Sequence, residues 1–180
     1  NLYQAMGEVQ LAEEYFEKAK ALHEINFGTE GAGIVRPLVH LANVKRELGK
    51  YTEAEKLYAR AYQLQEKIDA KDRINMAYVE TQYGDLFYAQ KEYAQAENYY
   101  KKALENHKKA GISQTIIVQE TRNTLAQTYA RSGRITLAIP ILNNVLKRYK
   151  AIHKKGDIAI AGQYHKISEI WLLDHQPQKA

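Results

Sequence analysis

The sequence has no cysteine, which excludes disulfides, thiolate nucleophiles and cysteine-ligated metal centres outright. Three prolines and ten glycines in 180 residues are too few interruptions for a loop-rich or low-complexity chain. No apolar run approaches the roughly 20 residues that span a bilayer, and the opening Asn1-Leu2-Tyr3-Gln4 lacks the basic and apolar regions of a signal peptide. A soluble chain is therefore expected, and the lack of cysteine is compatible with the reducing cytoplasm, the expected location.

What is present favours helices. Ala, Leu, Glu, Gln and Lys dominate, and 45% of the residues are apolar, enough to bury a sizeable core. The net charge is +5, but 26 Lys and Arg are interleaved with 21 acids, so no single basic face follows and a nucleic-acid partner is not expected. Fourteen tyrosines call for a specific explanation.

That explanation is a repeat. Ala12, Ala54, Ala96 and Ala138 stand 42 residues apart at every step. Four residues after each comes a large side chain, Phe16, Tyr58, Tyr100 and Leu142, and three later a smaller one, Ala19, Ala61, Ala103 and Val145. Spacings of four and three mark one face of a helix. Upstream of each alanine a turn is expected, at Gly7-Glu8-Val9, Gly49-Lys50-Tyr51, Lys91-Glu92-Tyr93 and Gly133-Arg134-Ile135. Glycine there supplies a left-handed residue that ends a helix, and only the third copy lacks it. Before the turn a second face recurs as Leu41, Ala42 and Lys45, as Tyr83, Gly84 and Phe87, and as Leu125, Ala126 and Tyr129, with a partial copy at Ile167, Ser168 and Trp171. Each unit thus reads as two helices around a tight turn, with small residues for close approach and tyrosines filling the space between neighbouring hairpins.

Residues 48–61, LGKYTEAEKLYARA, and 90–104, QKEYAQAENYYKKAL, resemble the tetratricopeptide signature, and the resemblance runs the length of the chain. The family's usual unit is about 34 residues. The longer unit here is similar to the repeats of kinesin light chains and of bacterial peptide-pheromone regulators, with the additional residues placed in the second helix and the link after it. The resemblance implies an all-α, right-handed superhelical solenoid of antiparallel helix pairs, with about four hairpins and truncated terminal repeats. The repeats are read as 1–33 (partial), 34–73, 74–113, 114–157 and 158–180 (partial), in one solenoid domain over 1–180. Because Tyr3 aligns with Lys45 and Ala180 with Ala138, both terminal units are cut, and a piece of a larger protein is expected.

The links at 27–33, 70–73, 110–113 and 154–157 carry glycines for helix ends and Thr29, Asp72, Ser113 or Asp157 as candidate caps. Pro140 falls just inside a second helix, where a local bend is expected. No catalytic constellation stands out. His23, His40, His107, His153, His165 and His175 are scattered, without the paired spacing and intervening acid of a helical zinc site. His23 and His107, two periods apart, are read as surface packing or shared ancestry. Neither an enzyme activity nor a cofactor nor a metal is expected.

Binding is what the architecture offers. The concave wall of such a superhelix is lined by the first helix of each pair. Periodicity points into it Arg36, Val39, Asn43 and Arg46, then Tyr78, Thr81, Asp85 and Tyr88, then Glu120, Asn123, Gln127 and Ala130, and finally Gly162, His165, Glu169 and Leu172. Of these, Arg36, Asn43, Arg46, Tyr78, Asp85, Tyr88, Asn123 and Gln127 are the candidate peptide-binding residues: amides for a peptide backbone, tyrosines for its side chains. The resemblance also implies an exclusion. Relatives that grip a chaperone's terminal carboxylate place Asn, Lys and Arg at positions that here read Asn43, Asp85, Gln127 and Glu169, preceded by Val39, Thr81, Asn123 and His165, so that mode is not expected. Lys101, Lys102, Lys108 and Lys109, with Lys147, Arg148, Lys150, Lys154 and Lys155, are read as solvated helix ends, with an outer basic surface as the alternative. A scaffold holding a peptide or partner protein is the preferred function. The alternatives are a peptide-sensing module of a bacterial transcription or signalling regulator, or the accessory arm of a multidomain enzyme.

Overall fold

In the computed structural model, three helices begin at Tyr51, Tyr93 and Ile135, each 42 residues after the last. The structure describes residues 2–69, 71–154 and 157–174. Asn1, Ala70, Lys155, Gly156, His175 and Ala180, named or spanned above, lie outside the described residues, as do the side chains of Leu2, Tyr3 and Gln4. Among the described residues there are eight α-helices and no strand: α1 (Leu2–Phe27), α2 (Val35–Glu47), α3 (Tyr51–Asp69), α4 (Arg73–Ala89), α5 (Tyr93–Lys109), α6 (Ile116–Arg131), α7 (Ile135–Ile152) and α8 (Ile158–Asp174). A single 3-10 turn, Ala32–Ile34, precedes α2. No described helix is long and apolar enough to cross a membrane.

The turns have one construction. After α2, the Gly49 N–H donates to Arg46 O at 3.0 Å and the Lys50 N–H to Lys45 O at 2.8 Å. The same pair of bonds, at the same distances, closes α4 through Lys91 and Glu92, and α6 through Gly133 and Arg134. This double closure satisfies carbonyls that a helix end would otherwise leave unpaired, and it places its pivot in the left-handed region. Gly49 and Gly133 adopt φ of 73° and 77° without strain, whereas Lys91 is held at 63° although it carries a side chain.

Caps follow only part of the expectation. Asp72 accepts the Asn75 N–H at 3.1 Å at the start of α4, and Asp157 accepts the Ala159 N–H at 2.8 Å at the start of α8. Ser113 is not a cap. Thr115 takes that place before α6, and its hydroxyl turns back to Ile112 O at 3.1 Å.

The turn expected at Gly7 is corrected by the structure, since α1 runs unbroken from Leu2 through Gly7 to Phe27. Continuing the helix satisfies the backbone at the cost of about 1 kcal/mol for an internal glycine.

The chain divides into two compact units, Asn1–Glu92 and Tyr93–Ala180. In the first, α2 and α3 form a hairpin flanked by α1 and α4. Leu38, Leu41 and Ala42 of α2, Ala54, Tyr58 and Ala61 of α3, and Ala77 and Leu86 of α4 are fully buried, and each leucine of this set contributes roughly 1.5–3 kcal/mol. The Tyr58 ring stacks on Tyr83 at 5.6 Å, and Tyr83 on Phe87 at 5.0 Å, so the recurring aromatics form the expected filling. In the second unit α6 packs against α5, α7 and α8. Tyr100, Ala103, Ala126, Ala138, Leu142 and Val145 are fully buried there.

Polar groups extend the repeat. Lys45, buried, meets Glu13 of α1 at 2.5 Å and Glu53 of α3 at 2.8 Å. Burial by itself would lower the Lys45 pKa, but the two carboxylates outweigh it and hold the ammonium above its ordinary value. Two repeats later Tyr129 stands in for Lys45 and Glu97 for Glu13, with the phenol donating to the carboxylate at 3.2 Å while Lys101 and Arg134 pair with it at 2.6 and 2.7 Å. His107 is not at the surface: it is 2% exposed, neither ring nitrogen has a hydrogen-bond partner, and burial lowers its pKa. Its repeat equivalents Gln65 and Tyr149 are buried as well, so the position belongs to the interior.

Candidate functional site

Six of the eight candidate binding residues lie in the first unit, on α2 and α4, which pack against each other. Asp72 fixes the start of α4, and the Asn75 side chain donates to it at 2.5 Å. That leaves the Asn75 Oδ1 to accept from the Arg36 guanidinium at 3.0 Å, which aims Arg36 across the Tyr78 ring, 5.5 Å from its centre. Such a cation over a tyrosine face contributes about 0.5–1 kcal/mol at an exposed position. Burial raises the Tyr78 pKa and the nearby guanidinium opposes it, so the phenol stays a neutral donor near pH 7.

About two to three helical turns further along, Arg46 faces Asp85 at 3.5 Å, and the Gln82 side chain donates to the same carboxylate at 3.3 Å. Asn43 sits between the two clusters along α2 and accepts the Tyr58 hydroxyl, which ties a half-exposed surface amide to the buried aromatic stack. Tyr88 is half-exposed at the end of α4. The result is a row of guanidinium, phenol, amide and carboxylate groups on a rigid pair of helices, with both charge signs and an aromatic face. Such a row is able to bond an extended peptide and cover its side chains.

The quartets read from periodicity are not all at the surface. Val39 is fully buried, and Thr81 is half-buried with its hydroxyl donating to Ala77 O at 2.9 Å. In the second unit Gln127 is half-buried, but Asn123, repeat equivalent of Val39, is 1% exposed and neither atom of its amide makes a hydrogen bond. The second position turns beneath the first-helix face at Val39 and Asn123 and partly at Thr81, because three residues advance the helix by less than a full turn, whereas its fourth copy, His165, is exposed. Glu120 accepts the Tyr149 hydroxyl and pairs with Lys166 at 3.2 Å, and the exposed His165 lies 3.4 Å from Glu169. Sequence reasoning missed Asn75, whose role rests on the Asp72 cap. It also read Lys45 as a packing residue rather than a hub of charge.

Comparison with known proteins bears on the family and the fold. Models described as tetratricopeptide repeat match residues 33–109 and residues 1–31. No curated protein sequence matches. Among solved structures, the nearly identical tetratricopeptide-like repeats assigned to a kinesin light chain of Podosopora anserina superpose with a TM-score of 0.79 at 18% identity, covering 98% of this chain and 84% of that one. BtubC (BKLC) of P. vanneervenii superposes with a TM-score of 0.72 at 16% identity, covering 98% of this chain and 68% of that one. At such identities the likeness establishes the all-α helical-repeat solenoid fold, and the repeat models establish a protein-interaction scaffold in general terms. The matched repeats, the 42-residue step of the helix starts and the shared fold place this chain in the tetratricopeptide repeat family.

Proposed function

We propose that the chain holds a peptide segment of a partner protein on its first-helix face, with Arg36, Asn43 and Arg46 of α2 and Tyr78, Asp85 and Tyr88 of α4 as the principal contacts. In the second unit, taken by itself, the half-exposed Gln127 of α6 is a further candidate contact, whereas Asn123 is buried there. The observation that carries the reading is the placement of Arg36 over Tyr78 and of Arg46 beside Asp85. Both pairs hold hydrogen-bonding groups at the surface of packed helices, so a ligand meets a pre-organised row rather than free side chains. A ligand carboxylate gripped by Asn, Lys and Arg is not part of this reading. Asp85 occupies one of the positions where such a grip needs a neutral or cationic group, and Val39 is buried at another.

Selection of ligands from a random peptide display library, followed by titration of the selected peptides, tests the proposal. Arg36→Ala combined with Tyr78→Ala is expected to weaken the selected peptides by about tenfold or more, consistent with loss of a stacked and hydrogen-bonded contact pair. Lys102→Ala, on α5, is expected to leave them unchanged. Equal affinity for the double variant and the parent would rule the α2–α4 face out.

A further inference from the structure

A cleft of about 400 Å³ opens in the second unit between α5, α6 and α7. Its walls are apolar, from Leu104, Leu125, Pro140 and Ile141, with the Asn144 amide at one side and Arg122 reaching in. A smaller hollow of about 250 Å³ shares Leu104 and Arg122 and is edged by Lys101, Lys108 and Glu105. The larger cleft lies within the roughly 300–1,000 Å³ usual for ligand sites.

Arg122 is the unusual member. It is half-buried, and its Nη1 donates at 3.0 Å to Gln119, a neutral side chain that is itself fully buried. Among the described residues no carboxylate pairs with it. Burial and the like charge of Arg148 both act against its cationic form, yet a guanidinium does not give up its proton in a protein. A cation drawn from water without a counterion is costly, and an incoming carboxylate would offset that cost through bidentate, charge-assisted bonds. Pro140 adds a second polar opportunity. Having no N–H, it leaves the Thr136 carbonyl without its helical donor, one turn along α7 from the cleft wall.

We propose that this cleft is a second recognition site, which seats a short segment of a partner protein in which a glutamate or aspartate is flanked by aliphatic residues. The carboxylate meets Arg122, and the aliphatic side chains lie on Leu104, Leu125 and Ile141. A nucleic acid fits less well. The cleft offers no aromatic platform for bases, and Glu105 stands at the edge of the adjoining hollow, where a polyanion would pass. The site is independent of the α2–α4 face, so either reading stands if the other fails.

The test uses the full chain with its arginine Nε–Hε signals assigned by nuclear magnetic resonance. The probes are N-acetyl-Leu-Glu-Leu-amide, its Leu-Gln-Leu counterpart, inorganic phosphate and octauridylate. The acidic tripeptide is expected to move the Arg122 signal in a saturable way and to bind about tenfold or more tightly than the glutamine peptide. Arg122→Gln is expected to abolish that preference and Arg122→Lys to restore part of it, with helicity and thermal midpoint unchanged. Ile141→Glu, which places a carboxylate in the cleft from the opposite wall, is expected to block the tripeptide while Arg122 stays intact. Equal binding of the two peptides, no saturable shift at millimolar peptide, or phosphate or octauridylate acting at lower concentration than the tripeptide would each overturn the proposal.

Discussion

Arg36 lies over the ring of Tyr78, the residue that occupies its own position one repeat later, with 5.5 Å between guanidinium carbon and ring centre. A repeat protein thus brings one register position against itself on adjacent first helices. The chemistry of its surface is therefore set by how that position varies from copy to copy. Here the variation from Arg36 to Tyr78 creates a stacked pair where two arginines would repel.

The turn at Lys91 gives the first prediction. Its left-handed φ of 63° costs a residue with a side chain on the order of 1 kcal/mol, which glycine avoids. Lys91→Gly is expected to stabilise the chain by about 1 kcal/mol in urea unfolding. Gly49→Ala, in open space but at φ 73°, is expected to destabilise it by a similar amount through backbone strain alone.

Acid sensitivity should have two stages. The His107 pKa is lowered from 6.5 by burial, so as pH falls the unfolded chain takes up its proton before the folded chain does. Stability is then full above about pH 6.5 and declines below it, by at most about 1.4 kcal/mol per pH unit for one proton. Glu13, Glu97 and Glu120 are lowered from 4.5 in the folded state, so a second decline begins near pH 4.5. His107→Phe is expected to remove the first stage and keep the second, as read from thermal midpoints between pH 7.5 and 3.5. A first stage that persists in this variant would place its origin elsewhere.

Asn123 separates stability from binding. Its amide is buried, makes no hydrogen bond of normal geometry and interacts with the Glu120 carboxylate alone, an under-satisfaction that costs up to about 1–3 kcal/mol relative to an apolar side chain of similar size. Asn123→Val, which copies Val39, is expected to raise the unfolding midpoint. If the amide contributes to peptide capture, the same variant weakens a selected peptide while becoming more stable, a combination that loss of folding cannot produce.

The charge hub at Lys45 makes a graded prediction. Lys45→Met is expected to cost about 1–2 kcal/mol, less than the roughly 3–5 of a fully buried pair, because Lys50 still reaches Glu13 at 2.8 Å. Lys18→Met removes an exposed pair with Glu14 one turn away and is expected to change stability by less than about 0.5 kcal/mol. Chemical denaturation of both variants at low and high salt measures the contrast.

The parts of the molecule legible in the sequence were those written repeatedly. Ala54, Ala96 and Ala138 recur at one spacing because one packing problem recurs, and the structure buries all three completely. The Gly7 turn failed because a glycine is also tolerated inside a helix, at a cost of about 1 kcal/mol, and α1 runs through it. Asn123 was misplaced because polarity reports a side chain's chemistry and not its depth. Its equivalent Val39 was the better guide, since an apolar residue at that register position points to the interior, as it does for Asn123 and in part for Thr81, though not for the exposed His165. The Arg122 cleft had no signal at all, because it arises where three helices converge and its residues are far apart in sequence.

Gly49, Lys91 and Gly133 mark the same structural instant at constant intervals, with identical bonds on either side. A cut at one of them and a splice at the next removes a whole cassette and meets an end of the same geometry. Excising residues 50–91 would join Gly49 to Glu92 with the local hydrogen bonding still in phase, whereas a deletion whose length is not a multiple of this 42-residue step would throw the following helix out of frame. Duplication and loss by recombination at these pivots are therefore the changes of length that the architecture tolerates best.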